Sequence, residues 1–362
     1  MSAEEYKYEY FNVTFPREYV AHVEINRPEK LNAFVEHFPL QQSICTPAVK
    51  DKKNEIPLTT PTPLHTIRPN PQNRAVKRLP QEKRKSPHNL TTSPAPPRMW
   101  LNLSTIITRL STSPNVRCIL LTGAGPRAFT AGLDVQAAST SGVLATSQAP
   151  LDVQAASTSG VLATSQAPLD AARKALHNIH HITTFQACVS TLETCPKPTI
   201  AVLHGICYGL AIDLSLACDV RLCAADAAFA VKEVDIGIAA DIGTLTRLPK
   251  AVGNASWAKD VALTARVFGA DEALREGFVS GVYRGGKEEA VAAGLEKAAL
   301  IASKSPVAVV GTKELLNYSR DHTVEEGLRY TAVWNGAMLQ TDDIKDALMS
   351  GLKKTKPKFA KL

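Results

Sequence analysis

Apolar positions along the chain fall into short runs and longer helical stripes. Runs at EYFNVTF (9–15), VAHVEI (20–25), VRCILLTG (116–123), TIAVLHG (199–205) and DVRLC (219–223) carry the β-branched and aromatic content of strands, and FAV (229–231) adds a short one. Helical periodicity follows around 169–193, 209–217, 254–265, 270–277, 287–304, 306–319 and 323–352. The last of these are continuous enough to predict a helical C-terminal region over 286–362. Strands come first and helices last, so the predicted class is α/β.

Two segments interrupt this pattern. Residues 37–98 hold eleven Lys/Arg against three Asp/Glu and 12 of the 23 prolines, with no period of 2 or 3.6, a composition that predicts disorder. If Glu36 were joined to Met99, Phe34, Met99, Leu103, Ile106, Ile107 and Leu110 would form the apolar stripe of one amphipathic helix. The segment therefore reads as an insertion into a helix, with a basic tether for RNA or membrane as the alternative. Closing a loop of that length costs about 3.7 kcal/mol, a serious fraction of a domain's stability of roughly 5 to 15 kcal/mol.

The second interruption is an exact tandem repeat, LDVQAASTSGVLATSQAP at 133–150 and again at 151–168. Two copies of so short and polar a unit predict a loop, not a solenoid. The expected core is then 1–36 with 99–285.

Composition narrows the class further. A chain of 362 residues that is 44% hydrophobic can bury a large core. No apolar run approaches the roughly 18 residues of a membrane span, and MSAEEYKYEY has neither the basic nor the apolar part of a secretory leader. The net charge of +7 is concentrated in 37–98, so the remainder is near neutral and no nucleic-acid partner is expected. Seven cysteines form no C-x-x-C pair; they read as buried free thiols in a reducing compartment, with no metal site expected.

Three stretches could carry chemistry. Gly123–Asp134 (GAGPRAFTAGLD) is a small-residue turn after a strand. His204–Asp213 (HGICYGLAID) runs from a strand end through glycines into a helix. Val231–Asp241 (VKEVDIGIAAD) places acids at Glu233, Asp235 and Asp241. Each has a plain structural explanation: turns join strands to helices, Asp213 can offset a helix dipole, Asp241 can N-cap the following helix, and Glu233 can be solvated beside Lys232.

Their joint occurrence changes the reading. NRPEKLNAF (26–34), RAFTAGLD (127–134), PKPTIAVLHGICYGLAIDLSLACDVRLC (196–223) and FAVKEVDIGIAADIGTLTRLPKAVG (229–253) resemble the successive signature segments of the crotonase (enoyl-CoA hydratase/isomerase) superfamily. That resemblance implies a spiral of β-β-α units, a helical C-terminal trimerisation region, and homotrimers or dimers of trimers. KEVDIGIAADIGTLTRLPK is similar to the dienoyl-CoA isomerase branch, which implies conversion of 3,5-dienoyl-CoA to 2,4-dienoyl-CoA in fatty acid β-oxidation.

Carried over by position, the resemblance implies an oxyanion hole made of the backbone N–H groups of Ala131 and Leu210, the latter at a helix N-terminus that favours negative charge. Phe129, Thr130, Ala131, Gly132, Leu133, Asp134 and Leu210 would line the substrate. Leu210 and Ala211 replace the family's usual glycines, which a backbone donor tolerates if the side chain points away. Glu233 is implied as the base at C2, Asp241 as the acid at C6, and Asp213 as their support. Moving a proton between C2 and C6, four bonds apart, calls for two carboxylates. Eight extended residues span on the order of 26 Å, so the two acids meet only if the chain folds back, with Gly237 as the pivot.

No metal or redox cofactor is expected, since CoA comes with the fatty acyl thioester substrate. Ala360-Lys361-Leu362 resembles the S-K-L class of peroxisomal address, which would make the import receptor a partner. Peroxisomal location is expected, with mitochondrial or cytosolic as alternatives. Two other functions stay in view: an enoyl-CoA hydratase, against which Asp241 argues because hydratases usually carry glycine there, and a non-catalytic RNA-associated or scaffolding relative, supported only by 37–98.

Overall fold

The computed structural model describes residues 6–35, 99–134 and 170–362. The chain divides into a unit of Met1–Phe38 with Pro97–Leu362 and a second of Pro39–Pro96. The second unit, and most of the repeat at 133–168, lie outside the described residues, as do the expectations that fall on them.

The first unit is built from β-β-α turns on two sheets. Strands β1 (Phe11–Arg17) and β2 (Val20–Ile25) form an antiparallel pair, and β2 then runs parallel to β3 (Cys118–Gly123). From there the pattern repeats: β3, β4 (Ala128–Thr130) and a helix; β5 (Thr199–Leu203), β6 (Ile206–Tyr208) and a helix; β7 (Val220–Ala224), β8 (Ala228–Ala230) and a helix. In each repeat the longer strand joins the first sheet, ordered β1-β2-β3-β5-β7-β10, and the shorter one joins the second, β4-β6-β8-β9. The closing strands are β9 (Phe268–Gly269) and β10 (Val282–Tyr283). Every residue of β3 and β5 is buried, as expected of parallel strands covered on both faces.

The helices are α1 (Met99–Thr112), α2 (Ala171–Thr194), α3 (Leu210–Ala217), α4 (Thr244–Ala251), α5 (Ala255–Thr264), α6 (Ala270–Arg275), α7 (Gly286–Ala302), α8 (Pro306–Ser319), α9 (Val324–Met338) and α10 (Asp343–Leu352). α7 packs on β3, β5 and β7, where Ala290, Ala298 and Ala302 meet Leu120, Val202 and Leu222. α1 packs on α2, with Trp100 stacked on Phe185 at 4.9 Å between centroids. The main core lies between the sheets and the α1, α2 and α3 layer. The six described cysteines are buried free thiols, and burial pushes Cys118 and Cys218 up to about 12, so they pack as small apolar groups.

Three expectations are corrected. Phe34 is not helical: it is extended and forms a parallel bridge with Leu133, so α1 begins at Met99 without it. The rest of the stripe is as read, since Met99, Leu103, Ile106, Ile107 and Leu110 are all buried. Val35 N–H lies 3.3 Å from Met99 Sδ, so the two flanks of 37–98 meet. The helix expected over 323–352 is broken between Met338 and Asp343, where Thr341 Oγ1 accepts the Asp343 N–H at 3.3 Å and competes with helical bonding. The stretch read as a turn at RAFTAGLD contains β4.

Candidate active site

The three motifs converge where the second sheet ends. A Cβ added to Gly132, at φ +91°, would stand 3.0 Å from Tyr208 O and 3.5 Å from Leu210 N, so the AGL turn lies directly against the N-terminus of α3. A Cβ on Gly209 would stand 3.3 Å from Glu233 Oε1 and 4.0 Å from Gly132 Cα. Glycine at these two positions leaves the Glu233 carboxylate facing the turn that precedes α3.

One of the two expected backbone donors is already engaged. Ala131 N–H is donated to Leu31 O at 3.0 Å, so it is not free for a ligand. Two residues on, Phe34 N–H bonds Gly132 O at 2.8 Å and Asp134 N–H bonds Phe34 O at 3.0 Å. That parallel bridge uses the groups on either side of Leu133 and turns Leu133's own N–H the other way. No acceptor among the described residues takes the N–H of Leu133 or of Leu210. Leu210 opens α3, where first-turn N–H groups have no helical partner, and its side chain is buried in the core, clear of the turn.

Phe129 and Thr130 are also corrected. Both side chains are fully buried, and Thr130 Oγ1 donates to Asn32 O at 2.8 Å. They support the loop and do not line it. Asp134 is paired with Arg27 at 2.9 Å, and Arg27 also donates to Ala33 O. Asn32, buried at φ +55°, reaches Ala124 O and Ala128 O at 2.8 and 2.9 Å. Together Arg27 and Asn32 clamp the NRPEKLNAF loop on the RAFTAGLD loop. Both residues lie in the NRPEKLNAF motif, where nothing local to the sequence announces these long-range bonds.

Glu233, Asp213 and Asp241 lie close enough to act on one another's charge. Glu233–Ile236 forms a single 3₁₀ turn that ends on Gly237 at φ +81°, the left-handed residue that folds the chain back. Asp241 then precedes α4, but it does not cap that helix: the N-cap is Gly243, and the Thr244 N–H is taken by Asp213 from α3. Asp213 is buried, with Oδ1 accepting both the N–H and the hydroxyl of Thr244 at 2.7 Å.

Electrostatics follow from this packing. Burial, then the charges of Asp213 and Asp241, push the Glu233 carboxyl up to about 7. Burial also raises Asp213, to about 6, against the opposing pull of the Thr244 bonds and Arg247. Glu233 Oε2 is buried with no hydrogen-bond partner among the described residues. Arg247 donates to Ser190 Oγ and Glu193 Oε2, both at 2.8 Å, which anchors the cation behind Asp213 on α2. The arrangement can take a proton at Glu233, hold an oxyanion at the two N–H groups, and return a proton from Asp241.

Comparison with known proteins agrees with this fold. Residues 169–361 match the Enoyl-CoA hydratase/isomerase family. Among relatives, the chain is 43% identical over 245 residues, covering 68% of each sequence, to a human protein named Delta(3,5)-Delta(2,4)-dienoyl-CoA isomerase, mitochondrial. It is 41% identical over 256 residues, 71% of this chain and 84% of the relative, to an Arabidopsis thaliana protein named Delta(3,5)-Delta(2,4)-dienoyl-CoA isomerase, peroxisomal. The fold is shared with enoyl-CoA hydratase from Bacillus anthracis at TM-score 0.66 and 21% identity, over 97% of this chain and 99% of that one. The chain belongs to the enoyl-CoA hydratase/isomerase, or crotonase, family.

Proposed function

We propose that the protein is an isomerase that converts 3,5-dienoyl-CoA to 2,4-dienoyl-CoA. One observation carries the reading: the buried Glu233 carboxyl, with Oε1 facing Gly209 and Oε2 without a partner among the described residues, stands at the turn where Gly132 meets the N-terminus of α3, with Asp241 close enough to raise its proton affinity. The names of the human and Arabidopsis relatives support it.

In the reaction, ionised Glu233 removes a proton from C2. The C2–H pair forms C1=C2 while the carbonyl π pair moves to the thioester oxygen, giving an extended dienolate whose oxygen is held by the N–H groups of Leu133 and Leu210. Such donors act most strongly on charge that develops in the transition state. Asp241 then delivers a proton at C6: the C5=C6 pair takes it, C3=C4 moves to C4=C5, C1=C2 moves to C2=C3, and the thioester carbonyl re-forms. Asp213 stays behind as a charge that raises the proton affinity of Glu233.

No oxidation state changes and the N–H pair polarises the thioester, so no metal or redox cofactor is required beyond the CoA of the substrate. Activity surviving dialysis against a chelator tests this. Exposed Leu328, Val333, Leu348 and Leu352 on α9 and α10 suit burial between copies, in a trimer or a dimer of trimers. For the compartment we take the peroxisome, on the Arabidopsis relative's name and the S-K-L-like run Ala360-Lys361-Leu362 recognised by an import receptor; the human relative's name makes the mitochondrion the alternative. Organelle fractionation decides between them.

The direct test is purified protein with 3,5-dienoyl-CoA, followed by the absorbance of the 2,4-diene conjugated to the thioester. Appearance of that band supports the reading. Hydration of a 2-enoyl-CoA without it would make the protein a hydratase.

A further inference from the structure

The acid expected at C6 sits on an irregular segment. Residues 239–242 lie outside any helix or strand, between Gly237 at φ +81° and Gly243 at φ +153°. A segment hung between two such glycines can pivot at both ends. Catalysis over the span from C2 to C6 needs Asp241 held in place, because the proton it delivers must meet one carbon of an extended dienolate.

We infer that Gln186 is a positioning residue for Asp241, resting on the isomerase reading above. Its Nε2 donates to the main-chain oxygen of Asp241 at 2.5 Å, across 55 residues of sequence. The acceptor is a carbonyl, so only the amide nitrogen can make this bond, and the side chain's orientation is fixed by its partner.

Gln186 is itself rigidly placed. It lies on α2, where Phe185, Cys188, Val189 and Leu192 are buried, and Phe185 is clamped by the Trp100 ring. The bond therefore ties a loop with glycine at both ends to a helix anchored in the core. Gln186 reaches the backbone of the loop, and the Asp241 carboxyl lies close enough to Glu233 and Asp213 to raise both. The base, by contrast, is held by its own 3₁₀ turn and does not depend on α2.

That asymmetry gives the test. Gln186→Leu keeps the bulk and removes the donor; Gln186→Glu keeps the shape and sets a carboxylate against the carbonyl. Two reactions are read on the same preparation of full-length protein: net isomerisation of 3,5-dienoyl-CoA, and exchange of the C2 proton with deuterated water. Loss of positioning predicts a fall in isomerisation kcat of roughly 10- to 100-fold. KM and C2 exchange should stay within about twofold of wild type, since binding and the first proton transfer are untouched. A parallel loss of both reactions, or no loss in either variant, overturns the inference. So does a Gln186→Leu protein that fails to fold beside a fully active Gln186→Glu. Wild-type protein that exchanges C2 but never isomerises would sink the functional reading instead.

Discussion

Thr244 donates both its N–H and its hydroxyl to the same oxygen of Asp213, each at 2.7 Å. The pair links the first turns of α3 and α4, so a helix N-terminus and a hydroxyl together stabilise a carboxylate that burial would otherwise neutralise. Thr244→Val keeps the shape and removes the hydroxyl donor. Losing one hydrogen bond to a buried charge costs about 1.5 to 3 kcal/mol, measurable by denaturant unfolding.

The same substitution should move the chemistry in a defined direction. With less support Asp213 rises above about 6 and holds its proton near neutrality. The negative charge that lifts Glu233 is then reduced, and Glu233 falls below about 7. The acid limb of C2 exchange should shift to lower pH, as a property of the coupled acids and not of one residue. An unmoved limb would show that Asp213 does not set the base.

Stability should also carry the mark of these acids. Glu233 is raised from 4.5 to about 7 in the folded protein. Below pH 4.5 both folded and unfolded states hold the proton; between 4.5 and about 7 only the folded state does. Stability therefore falls as pH rises through that window, and Asp213 adds the same sign between 3.8 and about 6. Glu233→Gln removes the cost of ionising a buried group. The variant should melt a few degrees above wild type at pH 8, and the difference should vanish near pH 4. Equal melting temperatures at pH 8 would place Glu233 in solvent.

Much of this site was legible in the sequence, for a physical reason. Glu233, Asp213, Asp241 and Leu210 lie in short motifs whose local geometry is set by neighbouring glycines, so position within the motif carries meaning. The expected donor Ala131 N–H is spent on Leu31 O, a partner 100 residues away that no local pattern announces. Phe34 fitted a helical stripe by period, yet the bridge with Leu133 overrode it. Gln186 and Thr244 reach their partners across 55 and 31 residues, and no local pattern announces such contacts.

The flanks of 37–98 yield a prediction on stability. Val35 N–H and Met99 Sδ are 3.3 Å apart, so a short linker can span the gap between these two flanks. Closing a segment of that length costs about 3.7 kcal/mol by the logarithmic rule, against about 1 kcal/mol for three residues. Replacing 37–98 with a three-residue glycine linker should therefore raise the melting temperature and keep isomerase turnover. A lower melting temperature would show that the segment contributes to the fold. Trp100 gives the experiment a second reading, because it begins α1 and clamps Phe185 beside Gln186. A linker that strains α1 should disturb isomerisation before it disturbs C2 exchange.

The sharpest separation lies between Glu233 and Asp241. If Glu233 takes the C2 proton and Asp241 supplies the one at C6, Asp241→Asn preserves shape and removes only the second transfer. The dienolate can then form and return, so net isomerisation should fall by about 100-fold or more, while CoA thioester binding stays near wild type. Exchange of the C2 proton with deuterated water should persist, because the base and the N–H groups of Leu133 and Leu210 are intact. Glu233→Gln should abolish exchange and isomerisation together, since Glu233 is the carboxyl that faces Gly209 and has a buried oxygen without a partner among the described residues. Both variants replace an acid by its amide, so a difference between them reports which proton each acid moves and not a change in bulk. An Asp241→Asn protein with normal turnover would refute the two-carboxylate mechanism and leave Glu233 to carry the proton at both carbons.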